Sequence, residues 1–126
     1  MKKIKTARGR KTSSTKWLER QLNDPYVTKA KKMGYRSRAA FKMKEMDEKY
    51  NILKAGMYVV DLGAAPGGWC QIALEKGCNK IVAIDLLPID PLPGVIFLEY
   101  DFMENDAPDK LRAALGGLAD VVMSDM

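Results

Sequence analysis

The sequence predicts an α/β domain built on a parallel sheet with helices on both faces. Four short segments of strand-forming residues alternate with helix-forming segments along residues 56–126. Their apolar runs are continuous rather than alternating, which is typical of strands buried on both faces of a sheet. The first strand leads through a turn of small residues, "GAAPGG", into a helix. In parallel sheets, turns of this kind are where ligands bind.

The N-terminal third is predicted to be helical, after a flexible basic tail over residues 1–12. We expect three helices, over residues 16–23, 26–33 and 37–49. Ser13, Ser14 and Thr15 offer caps for the first helix, which Pro25 stops. Gly34 ends the second helix, and Ser37 is expected to cap the third.

The third helix should pack on the sheet through one stripe of residues. At 100° per residue, the residues of this stripe are Ala39, Met43, Met46 and Tyr50. Lys42 falls at the boundary between the stripe and solvent. Phe41 lies on the opposite side, where it could stack on a nucleic-acid base or pack against the preceding helices. The same two alternatives, base stacking or packing, apply to Trp17 and Tyr35.

The second part of the chain supplies the sheet. We expect strands over residues 57–62, 80–85, 95–100 and 119–125, and helices over residues 67–76 and 108–115. Residues 86–94, "LLPIDPLPG", form a proline-rich loop between the second and third strands. Since the chain stops on a central strand, we expect it to be the front part of a larger domain. The predicted division is a tail (1–12), N-terminal helices (13–55) and an incomplete sheet domain (56–126).

Composition excludes several classes of protein. No apolar run of about 18 residues is present, so no transmembrane helix is expected. An apolar segment typical of a secretory signal is also missing from the N-terminus. The chain has two cysteines, Cys70 and Cys78, and no histidine, which leaves too few ligands for a zinc site. We therefore expect a cytoplasmic protein with reduced thiols and no metal.

Charge is distributed unevenly along the chain. Residues 1–44 hold 15 Lys and Arg against 2 acidic residues, whereas residues 45–126 hold 6 against 14. A basic arm joined to an acidic domain is typical of proteins whose arm meets a polyanion. A solvated, partly disordered tail would give the same pattern, and the acid-free start also resembles a mitochondrial presequence.

An aspartate lies at the end of each predicted strand. These residues are Asp61, Asp85, Asp101 and Asp125. The turn after the first strand departs from the GxGxxG pattern at Ala65, and Pro66 removes a donor, so a dinucleotide pyrophosphate fits poorly. Asp61 instead favours a cationic ligand, Asp85 suits the hydroxyls of a ribose, and Asp101 suits an exocyclic amine. S-adenosylmethionine combines all three features.

At this point a family resemblance is specific. The segments "DLGAAPGGW", "DLLPIDPLPGVIFLEYDF" and "DVVMSDM" resemble those of the FtsJ/RrmJ family of bacterial rRNA large-subunit methyltransferases. The lead-in "KWLERQLNDPYVTKAKKMGYRSRAAFKMKEMDEKY" is similar as well, so the likeness covers residues 16–126. It implies a Rossmann-like methyltransferase fold, truncated here after the fourth strand. It also implies a native N-terminus rather than a presequence.

The resemblance also implies roles for individual residues. The family binds S-adenosylmethionine, and the corresponding residues here are Gly67, Trp69, Asp85, Asp101 and Asp125. Its catalytic set is a Lys-Asp-Lys-Glu tetrad, of which Lys42 and Asp125 match the first two members. The second lysine and the glutamate lie beyond residue 126 in the family, so we expect weak or no turnover from these 126 residues alone.

The implied reaction is methylation of a uridine ribose 2′-OH in 23S rRNA of the large ribosomal subunit. Arg36 and Arg38 are then expected to contact the RNA backbone, and the protein is expected to be a cytoplasmic monomer. Three alternatives remain: a related enzyme acting on tRNA or mRNA caps, an RNA-binding module without activity, and a nicotinamide-dependent dehydrogenase. The last is disfavoured by Ala65 and Pro66.

Overall fold

A computed structural model describes residues 25–125 of the chain. It contains four helices and four strands within that range. The helices are α1 (Pro25–Lys32), α2 (Ala39–Tyr50), α3 (Gly68–Glu75) and α4 (Ala107–Leu115), and the strands are β1 (Tyr58–Leu62), β2 (Lys80–Asp85), β3 (Val95–Glu99) and β4 (Val121–Ser124). None of these four helices is long and apolar enough to cross a membrane. The predicted tail, the predicted helix over residues 16–23 and Trp17 lie outside the described residues.

The four strands form one parallel sheet in the order β3-β2-β1-β4. Strand β1 pairs with β2 through Val60 and Val82, and with β4 through Val60 and Val122. The chain therefore moves outward from β1 to β3 and returns to the other side of β1 for β4. This reversal leaves a crevice at the carboxyl ends of β1 and β4. The predicted α/β fold with a parallel sheet is confirmed.

Helices cover both faces of this sheet. On one face, α2 and α3 pack over Val59, Ile81 and their neighbours in the larger apolar core. On the other face, Leu115 of α4 covers Val60 and Val82. The inner strand residues are almost fully buried, which explains why β1 and β2 appear in the sequence as continuous apolar runs. Residues 25–55 share the larger core with the sheet, and the division after residue 55 stays a prediction.

The predicted stripe of α2 is wrong in part. The helix buries Ala40, Met43 and Asp47, whereas Tyr50 is 64% exposed. The buried face is thus rotated from the predicted one toward Ala40. The physical reason is that Gly68 of α3 has no side chain: a Cβ there would lie 3.3 Å from the Ala40 nitrogen. The helices approach each other at this small pair, and the larger Met46 and Tyr50 remain farther from the core.

The predicted cap of α2 is also wrong. The residue before the helix is Arg38, and no side chain caps the helix. The Ser37 hydroxyl oxygen is buried, and no hydrogen-bond partner for it exists within residues 25–125. A Cβ on Gly68 would lie only 2.5 Å from that oxygen. Ser37 therefore faces α3 and not the free N–H groups of its own helix.

Asp47 is a charged residue inside the core. Its carboxylate accepts a hydrogen bond from the Leu53 N–H at 2.6 Å and pairs with the Lys76 ammonium at 3.0 Å. Burial alone would raise the pKa of Asp47. The Leu53 N–H and Lys76 more than offset that effect, so the pKa lies below its ordinary value. The carboxylate fixes the turn between α2 and β1 and ties it to the end of α3.

Replacing Asp47 with alanine should therefore destabilise the fold. Asp47→Ala leaves the Leu53 N–H without its acceptor in a buried place, and we expect the free energy of unfolding to fall by about 2 kcal/mol. Urea denaturation at pH 7 measures this change. Glu48→Ala, at an exposed position one residue further on, is the matched control and should leave stability nearly unchanged. Equal effects of the two substitutions would contradict this role of Asp47.

Candidate cofactor and catalytic site

A cavity lies at the crevice between the ends of β1 and β4. Its volume is about 90 Å³. Asp61 of β1 lies on its floor, and Asp125, one residue after β4, lies at its side. The remaining lining residues are Ser37, Ala39, Gly63, Ala64, Ala65, Pro66, Gly68 and Trp69. Small residues and carboxylates thus dominate its wall.

The glycine turn, residues 63–67, serves two purposes in the structure. Gly63 has φ +68°, and its N–H donates to the Ile84 carbonyl at 2.9 Å, which fastens the turn to β2. Residues 63–66 line the cavity, where their small side chains leave the backbone accessible to a ligand. Gly67 and Gly68, in contrast, are approached by protein atoms. A Cβ on Gly67 would lie 3.3 Å from Arg36 Nη1, and one on Gly68 would meet Ser37.

Asp61 is a buried carboxylate that accepts a hydrogen bond from a thiol. It is 2% exposed, and Cys70 Sγ donates to Oδ2 at 3.2 Å. Burial raises the pKa of Asp61 to about 6, and the charges of Asp125 and Asp85 add to that rise, while the thiol opposes it. Burial and the neighbouring carboxylate raise the pKa of the Cys70 thiol as well. The floor of the cavity is therefore a carboxylate that a cation would stabilise.

The two predicted catalytic residues lie in contact. Lys42 Nζ donates to Asp125 Oδ1 at 2.7 Å, although the residues come from α2 and from the end of β4. Both are accessible, with the side chain of Lys42 61% and that of Asp125 33% exposed. The Lys42 ammonium also lies 5.9 Å from the centre of the Trp69 ring. Trp69 itself is held by its Nε1, which donates to the Ala39 carbonyl at 2.7 Å.

A second, larger cavity is lined by both members of this ion pair. It has a volume of about 430 Å³ and is lined by Arg38, Ala39, Phe41, Lys42, Glu45 and Asp125. The two cavities share Ala39 and Asp125. Lys42 and Asp125 therefore lie where the two cavities meet. A group bound in the larger cavity would therefore lie beside Asp125, which also lines the smaller one.

Other predicted cofactor residues lie outside both cavities. Asp85 accepts hydrogen bonds from the N–H groups of Ala65 and Leu87, both at 2.9 Å. Asp101 accepts one from the Met103 N–H at 2.9 Å and so forms a local turn. Together with Gly67, these residues line neither cavity. Their contacts to a cofactor stay predictions.

The two residues predicted to contact RNA, Arg36 and Arg38, have different surroundings in the structure. Arg38 is exposed at the larger cavity. The guanidinium of Arg36 instead donates to backbone carbonyls of Pro66, Asp90 and Pro91. The RNA roles of Arg36 and Arg38 stay predictions.

The aromatic residues Tyr35 and Phe41 pack edge to face, with ring centres 5.5 Å apart. Tyr35 is 9% exposed, and its hydroxyl donates to Glu75 at 2.7 Å. Packing, rather than base stacking, therefore explains Tyr35. Phe41 packs on Tyr35 and also lines the larger cavity, so its base-stacking alternative stays open.

Two residues of this region, Cys70 and Glu45, are not predicted site residues. For Arg36, which is one, the sequence does not predict the contacts to the loops. Only Glu45 could have been placed at the site from the sequence, because it lies three residues after Lys42 and so on the same side of the helix. Over residues 25–125, no group of three or more acidic, cysteine or histidine side chains could hold a metal ion.

Comparisons with known proteins agree with this architecture. Residues 35–126 match the model of a family described as FtsJ-like methyltransferase. The ribosomal RNA large subunit methyltransferase E of Xanthobacter autotrophicus is 64% identical over 129 residues, which cover 98% of this chain and 51% of that protein. The protein of the same name from Paramagnetospirillum magneticum is 63% identical over 131 residues, covering 98% of this chain and 54% of that one.

A solved structure shows the same likeness. The crystal structure of a protein described as a ribosomal RNA methyltransferase from Plasmodium falciparum is 37% identical and superposes with a TM-score of 0.67, over 73% of this chain and 56% of that one. The chain spans about half the length of the curated relatives it matches. With the family match over residues 35–126 and relatives above 60% identity, the chain belongs to the FtsJ-like methyltransferase family.

Proposed function

We propose that this chain supplies the cofactor site and half of the catalytic set of an S-adenosylmethionine-dependent RNA methyltransferase. The proposed reaction is methylation of a uridine ribose 2′-OH in 23S rRNA of the large ribosomal subunit, in the cytoplasm. The observation that carries this proposal is the Lys42–Asp125 pair where two cavities meet. A methyl donor on one side and a hydroxyl on the other would meet at that pair.

The smaller cavity fits the charged part of the cofactor. S-adenosylmethionine supplies a methyl group on a positively charged sulfur, and it also carries an ammonium group. Asp61 and Asp125 offer negative charge to such a ligand, and the small side chains of the glycine turn leave its backbone accessible. At about 90 Å³, the cavity is far below the roughly 300 Å³ of a site for a whole ligand of this size. We therefore assign to it the methionine end and assign the nucleoside end to the neighbourhood of Asp85 and Asp101.

The larger cavity fits the nucleotide that receives the methyl group. Its volume of about 430 Å³ falls within the usual range of ligand sites. Arg38 and Lys42 provide positive charge for a phosphate backbone beside the carboxylates of Glu45 and Asp125, and Phe41 provides an aromatic surface. Basic residues on the surface of α1 and α2 extend this charge: Lys29, Lys31, Lys32 and Lys49. A polyanion is the partner that this distribution favours.

Lys42 and Asp125 have distinct tasks in this proposal. Transfer of a methyl group requires the attacking oxygen to lie in line with the methyl carbon, and the hydroxyl must lose its proton. The Lys42 ammonium is placed to hold the ribose oxygen, and Asp125 fixes the ammonium through its 2.7 Å hydrogen bond. Following the family resemblance, we assign proton removal to a lysine that lies beyond residue 126 in the family.

Two alternatives to this function can be separated by experiment. An enzyme acting on tRNA or mRNA caps differs only in its RNA, so methyl transfer to isolated ribosomal subunits, tRNA and capped RNA separates the three. An RNA-binding module without activity needs no cofactor, and calorimetric titration with S-adenosylmethionine distinguishes it. The names of the close relatives favour the ribosomal substrate.

Removing either member of the ion pair should slow turnover strongly without abolishing cofactor binding. In the full-length native protein, we expect Lys42→Met and Asp125→Asn each to lower kcat by about 100-fold or more, because the hydroxyl loses its orienting group. Tritium transfer from labelled S-adenosylmethionine to large subunits measures kcat. Lys44→Met is the matched control: its ammonium lies 5.9 Å from the Tyr35 ring, and the residue lines neither cavity. If Lys42→Met retained normal kcat, this assignment would be wrong.

The ionised carboxylate of Asp61 should lower the free energy of unfolding, although it is proposed to support cofactor binding. Because its pKa is raised from 3.8 to about 6, the folded protein binds the proton more tightly than the unfolded chain does. Its free energy of unfolding should therefore decrease as pH rises through this range. Asp61→Asn removes that effect, so above pH 6 the variant should be more stable than the native protein by about 3 kcal/mol, with little difference below pH 4.

The same variant should bind S-adenosylmethionine more weakly at pH 7.5, because a neutral amide cannot balance the charge of the ligand. Denaturation at several pH values and calorimetric titration measure the two effects. Asp109→Asn, at an exposed position of α4, is the control. Unchanged stability across the pH range would contradict the raised pKa of Asp61, and unchanged affinity would contradict the placement of the ligand cation there.

A further inference from the structure

Two charged residues of opposite sign each hydrogen-bond to the same pair of loops. The loops are the glycine turn, residues 63–67, and the proline loop, residues 86–94. The carboxylate of Asp85 accepts from one N–H of each loop, at Ala65 and Leu87. The guanidinium of Arg36 donates to carbonyls of each loop, at Pro66, Asp90 and Pro91. The carboxylate of Asp85 thus accepts from backbone N–H groups of both loops, and the guanidinium of Arg36 donates to their carbonyl groups.

The composition of the proline loop explains why a cation is required. Three of its residues are prolines, which lack an N–H, and no regular secondary structure occurs between β2 and β3. Its carbonyl groups therefore exceed its donors. A guanidinium has five donors in a rigid plane and can serve several carbonyls at once. Lysine has a compact ammonium and cannot reproduce this planar arrangement.

Arg36 is itself held firmly enough to act as a fixed point. Its backbone N–H donates to Gln71 Oε1 at 2.8 Å, and Gln71 Nε2 donates to the Gly34 carbonyl at 3.0 Å. Both contacts tie the segment before α2 to helix α3. The side chain then passes over Gly67, where a Cβ would lie 3.3 Å from Nη1. The absence of a side chain at Gly67 gives the guanidinium its place.

We propose that Arg36 is a positioning residue that sets the distance between the glycine turn and the proline loop, and thereby the shape of the cofactor site. This assignment replaces contact with the RNA backbone as the main role of Arg36. It rests on the proposed function only in so far as the ligand at the glycine turn is S-adenosylmethionine. Binding to loops already in place avoids the free-energy cost of ordering them.

Charge-conserving and charge-removing substitutions distinguish the two roles. A phosphate contact tolerates lysine, so Arg36→Lys would be nearly silent, and Arg36→Ala would weaken RNA binding and reduce its dependence on salt. A loop-positioning residue does not tolerate lysine. We expect both variants of the full-length protein to bind S-adenosylmethionine about tenfold more weakly in the absence of RNA. Arg112→Lys, an exposed arginine on α4, is the matched control.

Hydrogen exchange provides a second measurement, which requires neither S-adenosylmethionine nor RNA. In Arg36→Lys, we expect faster amide exchange in residues 63–67 and 86–94 and unchanged exchange in β1 and β2. Native affinity for the cofactor together with native exchange in the two loops would overturn the proposal. If the unsubstituted protein failed to bind S-adenosylmethionine, the proposed function would fail, and loop exchange in Arg36→Lys would still decide the role of Arg36.

Discussion

The close contact between α2 and α3 at Gly68 determines how the site is assembled. With no side chain at Gly68, Ser37 and Ala40 approach the backbone of α3 directly. The indole of Trp69 then donates to the Ala39 carbonyl, which fixes the start of α2 over the crevice. Lys42, one turn further along α2, consequently reaches Asp125 across the sheet edge. A side chain at position 68 would push α2 away and separate the two halves of the site.

The charge at the floor of the site is retained at a cost in stability. Asp61 is buried and accepts a hydrogen bond from the Cys70 thiol, which is a weak donor. A burial of this kind disfavours the ionised form and raises the pKa. Functional sites often keep such groups, because a ligand of opposite charge recovers what the empty fold loses. The proposed binding of a cationic ligand at Asp61 would account for this cost.

The sequence predicted the sheet better than it predicted the side-chain contacts. Each described strand was placed within two residues at either end, because buried parallel strands are continuous apolar runs with sharp boundaries. The face of α2 was misjudged because hydrophobicity favoured Tyr50 over Asp47, and the sequence did not show that Leu53 and Lys76 would satisfy a buried carboxylate. Arg36 shows the same limit. Its charge was visible in the sequence, but its carbonyl partners lie 30 to 55 residues away along the chain.

The ion pair of Lys42 and Asp125 is difficult to explain by stability. Its two side chains are substantially exposed, and ion pairs in such surroundings contribute at most about 1 kcal/mol to folding. Yet its two members come from helix α2 and from the end of strand β4, and both line the larger cavity. Asp125 also lines the smaller one. In the proposed reaction, the exposed Lys42 would meet a ribose hydroxyl and Asp125 would hold it in one orientation. That proposal gives a purpose to a pair that adds little to folding and lies where two cavities share Asp125.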